Sequence, residues 1–248
     1  MATPRQGNRP AAESSCSRRY VEAHSAHAFL PPSSATYAIG ATLHRQQTGR
    51  ARVATSLTCV AMPPSHPGPA PVAIRQEHAS DIDEIGSVVA AAFSLAEHSA
   101  PPTRVGGPPG EVDLLAALRH DASWLPDLSL VATADGQVIG HVVCTRAHVD
   151  GVPALGLGPL SVRPDRQREG IGGALVRDLL VRAEKADESL VALLGDPAYY
   201  QRSGFVPARE LGVESPDPAW GDYFQARFLG TGDHPAGRFV YAEPFNRL

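Results

Sequence analysis

The sequence of 248 residues contains no uninterrupted apolar run near the roughly 18 residues that a membrane-spanning helix needs. Its first 30 residues also lack the apolar block of a secretory signal, so we expect a cytoplasmic protein with no membrane partner. Cysteine is scarce, and Cys16, Cys59 and Cys144 are far apart, with neither a CxxC pair nor metal-ligand spacing. This argues against a disulfide framework and predicts no metal site. Cys144 lies in an apolar strand pattern and is expected to be a buried hydrophobic side chain.

Charge is distributed unevenly along the chain. Residues 1–71 carry a net charge of +5 and the remainder −9. Residues 1–71 show no sustained periodicity and end in a proline-rich stretch, which predicts a disordered, low-complexity extension before a single domain at 72–248. An organellar transit peptide and translation starting at Met62 are alternatives for this segment. The acidic remainder disfavours a nucleic-acid partner, because phosphate neutralisation needs clustered lysine or arginine.

From residue 72 onward the hydrophobic pattern predicts alternating strands and helices. Strands are expected at 72–75, 128–133, 137–147, 154–162, 189–195, 222–229 and 237–242. Helices are expected at about 82–92, 111–120 and 170–186, and a short one after Asp196-Pro197. Asp135-Gly136 is typical of a hairpin turn between two of the strands. The order predicts one mixed α/β domain with an antiparallel start.

Three glycines, Gly170, Gly172 and Gly173, lie where the third predicted helix begins. Each costs about 0.5–1 kcal/mol relative to alanine inside a helix, so helix propensity does not explain them. A helix N-terminus presents unpaired N–H groups and the positive end of the helix dipole, and missing Cβ atoms let a bulky anion approach. We therefore expect a phosphate group here. Close helix–sheet packing or a tight turn is the structural alternative.

The strand before these glycines is interrupted by Gly156, Gly158 and Pro159. Proline cannot donate to a β-ladder, so a bulge or an edge is expected. Such a bulge would expose backbone donors and acceptors at 160–162, with which an extended ligand containing amides could pair. An irregular edge strand without a ligand is the alternative.

Two motifs resemble those of the GNAT superfamily of N-acetyltransferases, especially its bacterial branch of small acetyltransferases of undefined substrate. They are Gln167-x-x-Gly170-x-Gly172 after a strand ending in V-x-P, and Tyr200-x-Arg202-x-Gly204-Phe205. The resemblance covers about residues 72–205. It implies an α/β (α+β) fold with a mixed, mainly antiparallel sheet of six to seven strands and about four helices. It also implies acetyl-CoA as co-substrate, held by Leu160, Ser161, Val162, Gln167, Arg168, Glu169, Gly170, Ile171, Gly172 and Gly173.

The resemblance also implies a general-acid role for Tyr200. A thioester expels a thiolate whose conjugate thiol has a pKa of about 8.5, and a phenol with a pKa of about 10 can hydrogen-bond or donate to that sulfur. Because Tyr199 is adjacent, one of the two tyrosines is expected to pack in the core. No base is singled out: Glu111 is interpreted as the acid of a first helical turn and His141 as a satisfied core histidine. Glu97 and His98 lie in a loop that borders the acceptor site in this family.

The resemblance implies an N-acetyltransferase that transfers acetyl directly to a small-molecule or peptide amine, and we expect a homodimer. Cys144 lacks an identifiable activating partner, so an acyl-cysteine intermediate is not expected. A non-catalytic acyl-CoA-binding sensor is one alternative. A nucleotide-cofactor oxidoreductase is another, although Leu175 occupies the place of the third glycine in a dinucleotide-binding motif.

Overall fold

The structure is a computed structural model, and it describes residues 71–94, 96 and 99–247. The predicted extension at 1–71 lies almost wholly outside these residues, so the extension and the domain boundary stay predictions. Within the described part of the chain, no helix is long and apolar enough to cross a membrane.

The described residues form nine strands and four α-helices, together with short 3-10 turns. The strands are β1 (Ala73–Gln76), β2 (Trp124–Ala134), β3 (Gln137–Val149), β4 (Val152–Val162), β5 (Leu190–Leu194), β6 (Val206–Pro207), β7 (Val213–Glu214), β8 (Phe224–Phe228) and β9 (Gly237–Val240). The helices are α1 (Ile82–Phe93), α2 (Gly110–Arg119), α3 (Ile171–Lys185) and α4 (Pro197–Tyr200). Every predicted strand and helix is present, and the two-residue strands β6 and β7 are additional.

The strands form one sheet in the order β1-β2-β3-β4-β5-β8-β6, with β9 pairing to both β3 and β7. The pairs β4–β5 and β7–β9 are parallel, and the other pairs are antiparallel. This confirms the mixed, mainly antiparallel α/β fold. The expected six to seven strands correspond to the seven of the main path, which β7 and β9 extend to nine.

Local chemistry explains the central hairpin and the short helix. Asp135 and Gly136 have φ of 52° and 77°, the left-handed pair that a two-residue hairpin turn between β2 and β3 requires. Asp196 caps α4, because its side-chain oxygen accepts the backbone N–H of Ala198 at 2.9 Å. Pro197 occupies the first helical position, where no N–H is needed.

Helices cover both faces of the sheet. On one face, α1 and α2 bury Ile85, Val89 and Leu115 against Val131 and Val143. On the other face lies α3, whose Ile171 and Leu175 side chains approach Gly140 so closely that a Cβ there would be crowded. Alternation of side chains along β3 places Gly140 and Val143 on opposite faces. The core therefore has two layers separated by the sheet.

A gap opens in the middle of the sheet between β4 and β5. In the described part of the chain these strands pair only at Leu155 with Val191 and at Gly156 with Ala192. Against β3, β4 carries an extra residue between Leu157 and Leu160, which is the bulge expected at Pro159. Beyond this bulge β4 continues to Val162 without β5 beside it, so the end of β4 has a free edge that faces the gap.

Candidate active site

The free edge of β4 offers backbone groups to a ligand. Arg163 N–H donates to Ile139 O at 2.9 Å, which fixes the hydrogen-bonded positions of the antiparallel β3–β4 pair. By alternation, Leu160 and Val162 direct their N–H and C=O groups away from β3, toward the gap. The structure differs from expectation at Ser161, which lies opposite His141 and turns its backbone toward β3. An extended ligand can therefore pair with the residues on either side of Ser161.

The N-terminus of α3 begins just beyond this edge. Gly170 is its N-cap residue with φ of 84°, and no side chain caps the helix within the described residues. The N–H groups of Ile171, Gly172 and Gly173 belong to the first turn, where a helix supplies no internal acceptors. Gln167, in the segment before α3, donates from its side chain to Val162 O at 3.1 Å. This hydrogen bond ties the segment to the end of β4. The helix dipole and free donors together favour an anion at this place.

The three glycines at this helix start serve different structural purposes. Gly170 adopts a left-handed conformation that residues with a Cβ rarely adopt. A Cβ on Gly172 would overlap the hydroxyl of Tyr199, so this glycine permits close packing of α4 on α3. A Cβ on Gly173 would meet open space, as would one on Gly170. The packing alternative thus applies at Gly172, whereas room for a ligand is left above Gly170 and Gly173.

The segment before α3 presents the other residues expected to hold the cofactor. Arg168 has φ of 66°, and Gln167, Arg168 and Glu169 are all exposed. Glu169 pairs with Arg166, whose Nε lies 3.0 Å from both carboxylate oxygens. The structure therefore gathers residues 160–162 and 167–173 at one end of the gap.

The two tyrosines of α4 point in different directions. The Tyr199 hydroxyl lies against Gly172, and burial raises the pKa of this phenol. The Tyr200 ring lies against Gly195, directly after the end of β5, where a Cβ would overlap it. It also packs edge-on against Phe205, with ring centroids 5.8 Å apart. Tyr200 therefore stands at the β5 side of the gap, and Tyr199 at the start of α3.

Glu111 and Cys144, which the sequence analysis also considered, are buried and have structural roles. Glu111 is buried in the first turn of α2 and accepts from Ala100 N at 2.7 Å and Ser99 Oγ at 2.8 Å, so it anchors the loop before α2. Burial raises the pKa of Glu111. Cys144 is fully buried, and burial raises the pKa of its thiol well above the usual value. Glu97 and His98 lie outside the described residues.

His141 is not a fully satisfied core histidine. Its ring is buried, and Nε2 lies 2.9 Å from Ser129 Oγ and 3.1 Å from Glu77 Oε2. Nδ1 has no hydrogen-bond partner among the residues that the structure describes. Sequence reasoning missed Glu77, which follows β1. The available signal was a pair of polar residues, Ser129 and His141, inside the otherwise apolar runs 128–132 and 138–144.

Comparison with known proteins shows which protein family has this fold and these motifs. Residues 126–207 match the family model described as acetyltransferase (GNAT) domain. The chain is 39% identical over 121 residues to the uncharacterized N-acetyltransferase YjhQ of Escherichia coli, covering 47% of this chain and 67% of that protein. It is 34% identical over 145 residues to the uncharacterized N-acetyltransferase YhbS of the same species, covering 56% and 87%.

Two solved structures share the fold. A GNAT family acetyltransferase from Brucella melitensis, crystallised with acetyl-CoA, is 35% identical with a TM-score of 0.57, over 71% of this chain and 99% of that chain. YhbS from Escherichia coli, crystallised with CoA, is 30% identical with a TM-score of 0.61, over 74% and 96%. The chain therefore belongs to the GNAT family of acetyltransferases, as its motifs predicted, and is an acyltransferase.

Proposed function

We propose that this protein transfers the acetyl group of acetyl-CoA directly to the amine of a small molecule or peptide. The β4–β5 gap carries this proposal, because it combines a free strand edge with an uncapped helix N-terminus. Two solved relatives, crystallised with acetyl-CoA and with CoA, support it. Nothing comparable favours a dinucleotide cofactor, since a doubly wound parallel sheet is absent from the described residues. A cytoplasmic location and a homodimer remain predictions that accompany it.

In this proposal the pantetheine arm of acetyl-CoA lies along β4 and pairs with the outward N–H and C=O of Leu160 and with the N–H of Val162, whose C=O already accepts from Gln167. An amide-containing chain can satisfy such groups as a neighbouring strand would. The pyrophosphate then meets the first turn of α3, where the open space at Gly170 and Gly173 admits it. Gln167 holds this turn against the end of β4. The residues 160–162 and 167–173 thus form the proposed cofactor site.

Transfer then requires charge stabilisation at two atoms. As the amine attacks, the thioester carbonyl oxygen becomes anionic, and backbone N–H groups at the β4 bulge would stabilise it. When the C–S bond breaks, Tyr200 at the β5 side of the gap would give its proton to the departing thiolate. Cys144 takes no part, because its buried thiol is poorly disposed to ionise.

The proposal is tested by binding and then by turnover. Calorimetry is expected to show that the full-length protein binds acetyl-CoA and not NAD. Release of free thiol is then measured with a panel of amines that includes ethanolamine, spermidine, glycinamide, lysine amide and an aromatic amine. Binding of NAD without binding of acetyl-CoA would refute the assignment.

The neighbouring tyrosines provide matched variants. Tyr200→Phe is expected to lower kcat by about 100-fold, the lower bound for general acid catalysis, with little change in acetyl-CoA affinity. Tyr199→Phe should retain most of kcat. A larger loss for Tyr199→Phe would show that the general acid is misassigned. Acetyl-CoA binding that survives Tyr200→Phe would favour the sensor alternative if the wild-type protein also releases no thiol with any amine.

A further inference from the structure

A buried polar cluster lies on one face of the sheet and extends from the middle of β3 toward the edge formed by β1. His141, in the middle of β3, bonds through Nε2 to Ser129 Oγ and Glu77 Oε2 at 2.9 and 3.1 Å. Arg119 of α2 donates to both carboxylate oxygens of Glu77, at 3.1 and 3.2 Å. The proposed transfer reaction does not yet use this cluster, although it contains a histidine held by a carboxylate.

The cluster determines which ring nitrogen carries the proton. Burial would raise the pKa of Glu77, but hydrogen bonds from His141, Arg119 and Ser129 outweigh it and lower this pKa to about 2. The carboxylate is therefore ionised and can only accept hydrogen bonds. Nε2 of His141 must donate to it, which leaves a lone pair on Nδ1. Because burial lowers the pKa of His141, the resting imidazole is neutral and Nδ1 is free to accept a proton.

His141 Nδ1 and Ser161 Oγ are two neighbouring polar atoms that lack hydrogen-bond partners among the described residues. Ser161 lies directly opposite His141 on β4, so their side chains project from the same face of the sheet. Both Nδ1 and Ser161 Oγ are buried without a hydrogen-bond partner among the described residues. Unpaired buried polar atoms are costly and call for an explanation. Ser161 stands between Leu160 and Val162, the residues whose backbones face the gap.

The other end of the cluster approaches solvent. Glu77 and Arg119 line a cleft of about 400 Å³ together with residues that include Trp124 and His120. The Glu77 side chain is 11% exposed, whereas His141 is fully buried. Polar side chains therefore lie next to one another from Ser161 on β4, through His141, to the floor of this cleft, although no hydrogen bond joins Ser161 to His141 among the described residues.

We propose that His141, held by Glu77, takes up the proton of the acceptor amine from the gap through Ser161. This proposal rests on the proposed acetyl transfer. As the neutral amine forms the C–N bond, its nitrogen becomes positively charged. That nitrogen loses a proton to Ser161 Oγ, which passes its own proton to Nδ1. The ring becomes an imidazolium that the Glu77 carboxylate stabilises, and it returns the proton through Ser161 to solvent once the product leaves, while the thiolate takes the proton of Tyr200, which solvent replaces.

The charged groups that face His141 in the described structure are Glu77, after β1, and Arg119 of α2. Ser129 of β2 and Ser161 of β4 are polar and uncharged, and α1 contributes apolar side chains on this face. The pH response of the relay should therefore depend on Glu77 and Arg119. Glu77→Gln retains the shape of the side chain but removes its charge and replaces one acceptor oxygen with an NH2 donor, so it no longer fixes the tautomer.

Nitrogen NMR of the full-length protein with labelled histidine tests the tautomer without any acceptor. His141→Gln identifies the signals of this ring. We expect a neutral ring protonated on Nε2 between about pH 6 and 8, and loss of this preference in Glu77→Gln. A ring protonated on Nδ1, or charged throughout this range, would overturn the relay.

Turnover with the most reactive amine of the panel tests the function of the relay. His141→Gln and Ser161→Ala are each expected to lower kcat by about 100-fold at neutral pH, with a smaller loss at higher pH. The KM for acetyl-CoA should change by less than about threefold in His141→Gln. His148→Gln, at an exposed position of the same strand, should keep the wild-type profile. Because Ser161→Ala removes one atom, it remains informative if His141→Gln fails to fold.

Two outcomes separate this proposal from the one on which it rests. Equal kcat for wild type, His141→Gln and Ser161→Ala, or losses of the same size at every pH, would overturn the relay and leave acetyl transfer intact. Failure of the wild-type protein to bind acetyl-CoA would overturn the transfer reaction itself, whatever the tautomer of His141.

Discussion

Gly173→Glu should make the protein more stable and at the same time weaken acetyl-CoA binding. An added Cβ at this position meets no heavy atom within 4 Å, so the substitution fits without displacing neighbours. Replacing glycine inside a helix contributes about 0.5–1 kcal/mol, and an acid in the first turn adds about 0.3–1 kcal/mol. We therefore expect the free energy of unfolding to rise by about 1 kcal/mol.

The same carboxylate would oppose the pyrophosphate. Two like charges about 6 Å apart repel by about 0.7 kcal/mol in water and by about 2.8 kcal/mol at an effective dielectric constant of about 20. The pyrophosphate carries more than one charge, and salt screens part of the repulsion. Acetyl-CoA should thus bind about 10- to 100-fold more weakly.

Calorimetry at low and high salt measures this loss, and urea unfolding measures the stability. The loss should shrink as salt rises, and the uncharged Gly173→Gln should lose less affinity than Gly173→Glu. Gly86→Glu, in α1, adds a carboxylate where a Cβ also meets no atom within 4 Å, and should leave affinity unchanged. A folded Gly173→Glu protein with wild-type affinity would refute the placement of the pyrophosphate at α3.

Stability and thiol reactivity should respond to three further changes. Because the pKa of Glu77 and of Asp81 lies at about 2 in the fold, below the usual 4.5 and 3.8, stability is lost as pH falls from about 4.5 to 2. Glu77 accounts for about 3 kcal/mol, so unfolding curves of wild type and Glu77→Gln should converge in acid, and a constant difference would contradict this. Cys144 should resist iodoacetamide until urea unfolds the protein, and acetyl-Cys144 found during turnover would contradict direct transfer. Glu111→Ala should cost about 1–3 kcal/mol by unpairing the N–H of Ala100, which thermal unfolding measures.

Elements governed by local chemistry were predictable from the sequence. The Asp135-Gly136 turn and the short helix after Asp196-Pro197 follow from residues that are adjacent in the chain, and the structure confirms both. The bulge in β4 was foreseeable because Pro159 cannot donate to a ladder. The two-residue strands β6 and β7 were not, since such short segments are defined by the partners that they find in the fold.

Features that depend on distant residues escaped prediction. Glu77 and His141 are 64 positions apart, and no spacing rule connects them. The contact between Gly172 and Tyr199 depends on how α4 packs against α3. From the sequence, access for a ligand and close packing were therefore both open as reasons for a glycine at this position. The direction of the Ser161 backbone depends on the register with β3, which begins anew after the bulge.

Amide hydrogen exchange, measured by NMR with and without acetyl-CoA, tests the central claim most directly. In the free protein, Leu160 and Val162 should exchange quickly because their N–H groups face the gap. Acetyl-CoA should slow exchange at these two residues and at Ile171, Gly172 and Gly173. If acetyl-CoA binds while all five amides keep their exchange rates, the cofactor lies elsewhere and the account is contradicted.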